Sequence, residues 1–173
     1  MMYKWLIKNT KCLNELSDFN NKFYQMTFVI LNISDSDKHR ASAIWEYTKR
    51  LWKSVILEEL KPCKNGTREQ IIGKETKEIL EKLNKKYKDR DYILMSKDWK
   101  SVTTEELLSL CKNKNIVFII WWPYGLNEPE IIKVWAKAIS FGKITLPHWL
   151  AKLTLLEQIY RIWTIENGKS YHY

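Results

Sequence analysis

A chain of 173 residues, 45% of them apolar, has room for one packed domain with an appendage and too little for two comfortable domains. Lysine and arginine outnumber the acids 29 to 20, and the net charge of +9 favours polyanions such as nucleic acid or an anionic membrane surface. The longest apolar run, Ile116 to Trp122, is far short of the roughly 20 residues a spanning helix needs, which predicts a soluble protein.

Cys12, Cys63 and Cys111 are odd in number and widely spaced, fitting neither a disulfide framework nor a zinc site with paired ligands. A reducing compartment and no metal are therefore expected. In Met1 to Tyr24, Lys4, Lys8 and Lys11 precede the first acid, and Cys12, Leu13, Leu16, Phe19 and Phe23 suggest a helical stripe. This segment reads as an N-terminal extension, structural or RNA-binding, with a targeting role as the alternative. The location is cytoplasmic, or an organellar matrix if the extension is a targeting segment.

From Gln25 to Ile33 the residues are mostly β-branched or aromatic and predict a buried strand, after which Asp35, Ser36 and Asp37 offer helix caps. Ala41, Ile44, Trp45, Thr48, Leu51 and Trp52 give the following helix its inner face. Val55 to Leu60 is the second strand, ended by Pro62 and the turn pair Asn65-Gly66. A charged helix with Ile72, Ile79, Leu80 and Leu83 inward runs to about Lys86. Tyr92 to Met95 is a short strand, and Thr103 with Glu106 forms a capping box for a helix ending near Lys112. Ile116 to Trp121 is the most apolar strand. Pro129 opens a helix with Ile131, Ile132, Trp135 and Ala138 facing in.

After the short segment Ile139 to Leu146, Pro147 starts a long helix, because its missing N–H would have no partner in the first turn. Leu150, Leu153, Leu156, Ile159, Tyr160 and Trp163 recur at helical spacing until Asn167-Gly168 stops them. Glu157 and Arg161, four apart, share a face. Strands alternating with helices in this way call for a parallel sheet covered by helices on both faces, an α/β fold.

The run Ile139-Ser140-Phe141-Gly142-Lys143-Ile144-Thr145-Leu146-Pro147-His148, followed by Leu156-Glu157-Gln158-Ile159-Tyr160-Arg161-Ile162-Trp163 and Tyr171-His172, resembles the C-terminal signature of the RlmH family. Those proteins are SPOUT-class methyltransferases that modify N3 of a pseudouridine in large-subunit ribosomal RNA. The similarity extends upstream through Val117 to Ile120, Gly125-Leu126 and Glu46 to Leu51, so residues 25–173 form the SPOUT-like domain and 1–24 the extension.

The resemblance implies a C-terminal trefoil knot, S-adenosylmethionine as cofactor, ribosomal RNA or the large ribosomal subunit as partner, and a homodimer in which one subunit's tail completes the other's site. Carried onto this sequence, it places cofactor contacts at Met95, Trp121, Gly125 and Phe141, Gly142, Lys143, Ile144, Thr145 and Leu146. The catalytic set would be His148, Glu157, Arg161, Tyr171 and His172, with Lys152 and Arg161 as RNA contacts.

The chain departs from the family where two glycines normally let the backbone approach the cofactor: it reads Trp121-Trp122 there. Trp99 replaces another glycine, Ser96 stands near a usual acid, Lys152 replaces an arginine, and Tyr173 stands where the tail normally ends in a basic residue. Two main readings stay open on sequence alone: an active methyltransferase, or the same fold with a pocket plugged by tryptophan, kept as a ribosome-binding or assembly factor. A basic nucleic-acid-binding domain unrelated to ribosomes would require the C-terminal match to be coincidence.

Overall fold

The computed structural model describes residues 27–33, 38–112, 114–120, 124–134 and 136–171. The N-terminal extension, Asp35, Ser36 and Asp37, expected to cap a helix, Trp135, expected to face inward, and Trp121-Trp122 lie outside these residues, as do His172 and Tyr173.

The described elements alternate along the chain: β1 (Phe28–Ile33), α1 (Lys38–Leu51), β2 (Val55–Leu60), α2 (Arg68–Lys86), β3 (Asp91–Met95), α3 (Thr104–Cys111), β4 (Ile116–Ile120), α4 (Glu128–Lys133), β5 (Lys137–Ile139) and α5 (His148–Glu166). The strands form one sheet in the order β2-β1-β4-β3-β5, every neighbouring pair parallel. A parallel sheet must be covered on both sides, and here alternate residues of each strand serve two cores. Phe28, Ile30, Phe118, Ile93 and Met95 pack under α1, α3 and α5. Val29, Leu31, Val117, Ile119 and Leu94 pack under α2 and α4. The central strands β1 and β4 are buried along their whole length.

Local chemistry sets the helix ends. Thr103 accepts from the Glu106 N–H while Glu106 accepts from the Thr103 N–H, and Thr67 with Gln70 repeats the arrangement at the start of α2. Pro147 precedes the first turn of α5 in an extended conformation, and its carbonyl accepts from Leu150 and Ala151. At the other end Gly168, at φ +61°, turns the chain back so that its N–H bonds Ile165 O and the Lys169 N–H bonds Thr164 O.

Three expectations about faces are corrected. Trp45 and Trp52 are 65% and 68% exposed; the stripe of α1 that meets α5 is Ile44, Tyr47 and Leu51. Trp52 falls beyond the helix, in a 3-10 turn at φ +45° that swings its indole outward. On α2, Ile79 and Leu83 are buried and Leu80 packs against the same core as expected, but Ile72 is only partly buried and the inner face is completed by Ile71, Glu75 and Thr76, a glutamate among them that polarity alone assigns to solvent. Ala138 is not helical: α4 stops at Lys133, and Lys137–Ile139 pair with β3 as the edge strand β5.

The opposite edge strand, β2, ties down helices on both sides. On one face Glu58 accepts from Lys82 Nζ at 2.9 Å, Lys86 Nζ at 2.6 Å and the Tyr87 hydroxyl at 2.6 Å. These donors, Lys86 foremost, pull its carboxyl down to about 2. Because the folded state binds the proton more weakly than the unfolded chain, the stabilisation is full above the ordinary carboxyl range near 4.5 and is lost as the pH falls through about 2. Glu58→Gln is expected to lower stability at pH 7 by about 2–3 kcal/mol and to flatten the acid limb of the stability profile in urea melts. An unchanged acid limb would remove Glu58 as its source.

A candidate cofactor cleft and a polar cluster on the last helix

The carboxyl ends of β3, β4 and β5 open into one cleft. The segment after β3 is held against β5: the Ser96 N–H donates to Ile139 O at 2.9 Å, Ser140 N–H to Lys100 O at 3.0 Å, and Val102 N–H to Ser140 O at 3.2 Å. After β5 the Ser140 hydroxyl donates to Gly142 O at 2.6 Å and accepts from the Gly142 N–H at 3.0 Å, closing a turn that needs φ +126° at Gly142. An L side chain would be strained there, although no atom would block its Cβ. Pro147, His148, Trp149 and Ala151 bring the first turn of α5 to the same opening.

The resulting space is about 760 Å³, within the range of small-molecule sites. Met95 and Ser96, Ile120, and Phe141, Gly142, Ile144, Thr145 and Leu146 line it. No hydrogen bond within the described chain engages the backbone of Lys143, Ile144, Thr145 or Leu146. Four consecutive peptide units thus keep donors and acceptors for water or a ligand at the edge of an apolar cleft. Ile144, 79% exposed, stands among them.

Of the positions expected to meet a cofactor, Met95, Phe141, Gly142, Ile144, Thr145 and Leu146 come together here, while Lys143 and Gly125 are not lining residues. Gly125, at φ +92°, shapes the bend leading to α4. Trp121 lies outside the described residues. Sequence reasoning missed Arg68, which leads α2 and reaches the cleft from across the sheet, and Ser140, whose hydroxyl closes the turn. Arg68 had only its place after the Thr67 cap to mark it. Ser140, inside the quoted signature, had its spacing of two from Gly142.

The remaining polar residues gather elsewhere. Arg161 donates to Glu157 Oε1 from Nε at 3.1 Å and from Nη2 at 2.6 Å, the Tyr171 hydroxyl donates to the same oxygen at 3.4 Å, and Gln158 Nε2 holds Oε2 at 2.7 Å. The chain reversal at Gly168 lays Tyr171 back on α5, edge-on to Tyr160 at 4.9 Å and beneath the Arg161 guanidinium at 5.1 Å. A hydrogen bond with Tyr47, and then burial, push the Tyr171 phenol up to about 12. At neutral pH it is a hydrogen-bond donor and not a base. Glu157 raises the Arg161 guanidinium further above its ordinary value, so its charge is permanent.

His148 is nine residues from Glu157 and thirteen from Arg161, which at about 1.5 Å per residue puts the cluster roughly 13–20 Å along the axis from the cleft. One copy of the chain therefore separates His148 from Glu157, Arg161 and Tyr171. His172 lies outside the described residues. Lys152 is corrected as an RNA contact: it is 3% exposed and its ammonium is 2.6 Å from Glu59 on β2, so it offers no charge to a polyanion. Among the described residues no group of His, Cys, Asp and Glu is arranged to hold a metal, and no helix is long and apolar enough to cross a membrane.

The all-parallel sheet with a cleft at its carboxyl end is that of a SPOUT methyltransferase by sequence: the model of the family described as predicted SPOUT methyltransferase matches residues 26–172. The ribosomal RNA large subunit methyltransferase H of Thermodesulfovibrio yellowstonii is 38% identical over 120 residues, covering 69% of this chain and 77% of that protein. Its counterpart in Mycoplasmopsis pulmonis is 32% identical over 149 residues, covering 85% and 99%. This chain belongs to that family, RlmH. The crystal structure of a ribosomal RNA small subunit methyltransferase E from Neisseria gonorrhoeae bound to S-adenosyl methionine superposes with a TM-score of 0.50 over 80% of this chain and 67% of that one; at 14% identity the likeness is one of fold.

Proposed function

We propose that the protein methylates N3 of a pseudouridine in large-subunit ribosomal RNA, using S-adenosylmethionine. The observation that carries this reading is the run of unengaged peptide groups from Lys143 to Leu146 bordering a cleft of about 760 Å³. Such groups read the edge of a purine and a ribose through the backbone, while Met95, Ile120 and Phe141 offer apolar contact. The donor, when bound, supplies an already activated methyl group on a cationic sulfur. What this chain must add is alignment of the target nitrogen and removal of its proton.

His148 stands at the cleft, where an imidazole serves as a proton carrier near neutral pH. Glu157 fixes the Arg161 fork, whose remaining donors suit a phosphate or the edge of a base, and the neutral Tyr171 adds a further donor. Since one chain holds these groups far from its own cleft, the working site is built from two copies, the tail of one meeting the cleft of the other. α5 supports this arrangement: Leu150 and Leu153 remain partly exposed and stand apart from the packed core, leaving the helix apolar outside its own core face as well. The +9 charge suits an RNA substrate.

Titration calorimetry with S-adenosylmethionine and S-adenosylhomocysteine is expected to show micromolar binding, and mass mapping of ribosomal RNA after incubation should show one new methyl group on a pseudouridine. Affinity no better than millimolar would leave the reading without a donor.

A further inference from the structure

The wall of the cleft after β3 is fixed by an acid from α4. Ser96, 3% exposed and facing the cleft, donates its hydroxyl to Glu128 Oε1 at 2.7 Å, and Trp99 donates its indole N–H to Glu128 Oε2 at 3.0 Å. The Ser96 oxygen also accepts from the Asp98 N–H at 3.4 Å. Both carboxylate oxygens thus hold neutral donors, and among the described residues no lysine or arginine pairs with Glu128. Among the described residues its carboxylate is positioned by hydrogen bonds and not by an ion pair.

The charged side chains that line the cleft are basic, Arg68 and Lys97, and no described lining residue is acidic. A sulfonium ligand entering such a cleft meets like charge, which disfavours it relative to an uncharged thioether of the same shape. Glu128 stands one hydroxyl behind the lining and opposes that repulsion.

We propose that Glu128 is a specificity-determining residue of the cleft: its carboxylate, clamped on Ser96 and Trp99, makes the cleft favour a cationic sulfonium donor over the neutral thioether left after methyl transfer. The proposal rests on reading the cleft as the methyl-donor site. Its consequence is that the spent cofactor is displaced by fresh donor, since transfer of the methyl group removes the charge that Glu128 attracts.

The test is calorimetry of the full chain with S-adenosylmethionine and S-adenosylhomocysteine, comparing wild type, Glu128→Gln, Glu128→Asp, Ser96→Ala and Trp99→Phe. Glu128→Gln is expected to weaken the sulfonium ligand by roughly tenfold and the thioether by less than about twofold. Ser96→Ala and Trp99→Phe keep the charge and should change both affinities in parallel. Glu128→Asp, which draws the charge back by one methylene, should fall between wild type and the glutamine variant, and it serves as the decisive measurement if the glutamine variant does not fold. Equal weakening of both ligands, or an aspartate variant with the wild-type ratio, would overturn the role given to Glu128. Wild-type protein that binds neither ligand would instead remove the donor site, and the proposal with it.

Discussion

Glu59→Ala is expected to destabilise the protein by about 3–5 kcal/mol, and Lys152→Met by less than about 1 kcal/mol, although the two residues form a single ion pair. The asymmetry follows from where the charges lie. The Lys152 side chain is 4% exposed and that of Glu59 is 42% exposed. Removing Glu59 strands an ammonium inside the helix layer without its counter-charge. Removing Lys152 in favour of a methionine of similar length fills the same space with apolar atoms and returns the carboxylate to water. Urea denaturation of the two variants and of the double variant measures this directly, and the double variant should recover most of what Glu59→Ala loses. Equal losses in the two single variants would mean that the ammonium reaches solvent after all.

Arg161→Ala is expected to reduce methylation of ribosomal RNA by on the order of 100-fold or more while leaving S-adenosylmethionine affinity nearly unchanged. The guanidinium is fixed by Glu157 and covers Tyr171, and it lies well along α5 from the cleft. Gly142→Val should do the reverse: a β-branched residue cannot adopt φ +126° without strain, so the turn on Ser140 opens and the donor is no longer held. If two copies share their sites, co-expression of these two inactive variants yields mixed dimers in which one cleft faces an intact tail, and activity reappears. Mixtures as inactive as their parents would show that each cluster serves its own cleft or only supports the helix.

Much of the architecture was legible because the signals are local. β2 begins and ends where its β-branched run and Pro62 require, and the Thr103–Glu106 capping box starts α3 as expected. The alternation of apolar strands with capped helices led to a two-sided parallel sheet, which is the fold observed. The errors arose where burial overrides polarity. Glu75 and Lys152 both sit on inner rows: a reading that sends charges outward misses Glu75 on the inner face of α2, and the resemblance that made Lys152 an RNA contact carries no information on its burial.

The short strand β5 was hidden for another reason: three residues carry too little pattern to be told from the end of a helix, and only pairing with β3 defines them. The links between Ser96, Trp99 and Glu128 span about thirty positions and leave no periodic trace. The C-terminal signature, by contrast, is contiguous, and the segment from Phe141 to His148 could be read as a unit before its surroundings were known.

α5 carries the cleft's first turn at one end and the Glu157–Arg161–Tyr171 group at the other, with no break between them. The helix is in effect a ruler with a built-in angular setting. Loops elsewhere can lengthen without disturbing either end, but a single residue gained or lost between Ala151 and Leu156 would turn the far group by about 100° and shift it by about 1.5 Å relative to the cleft.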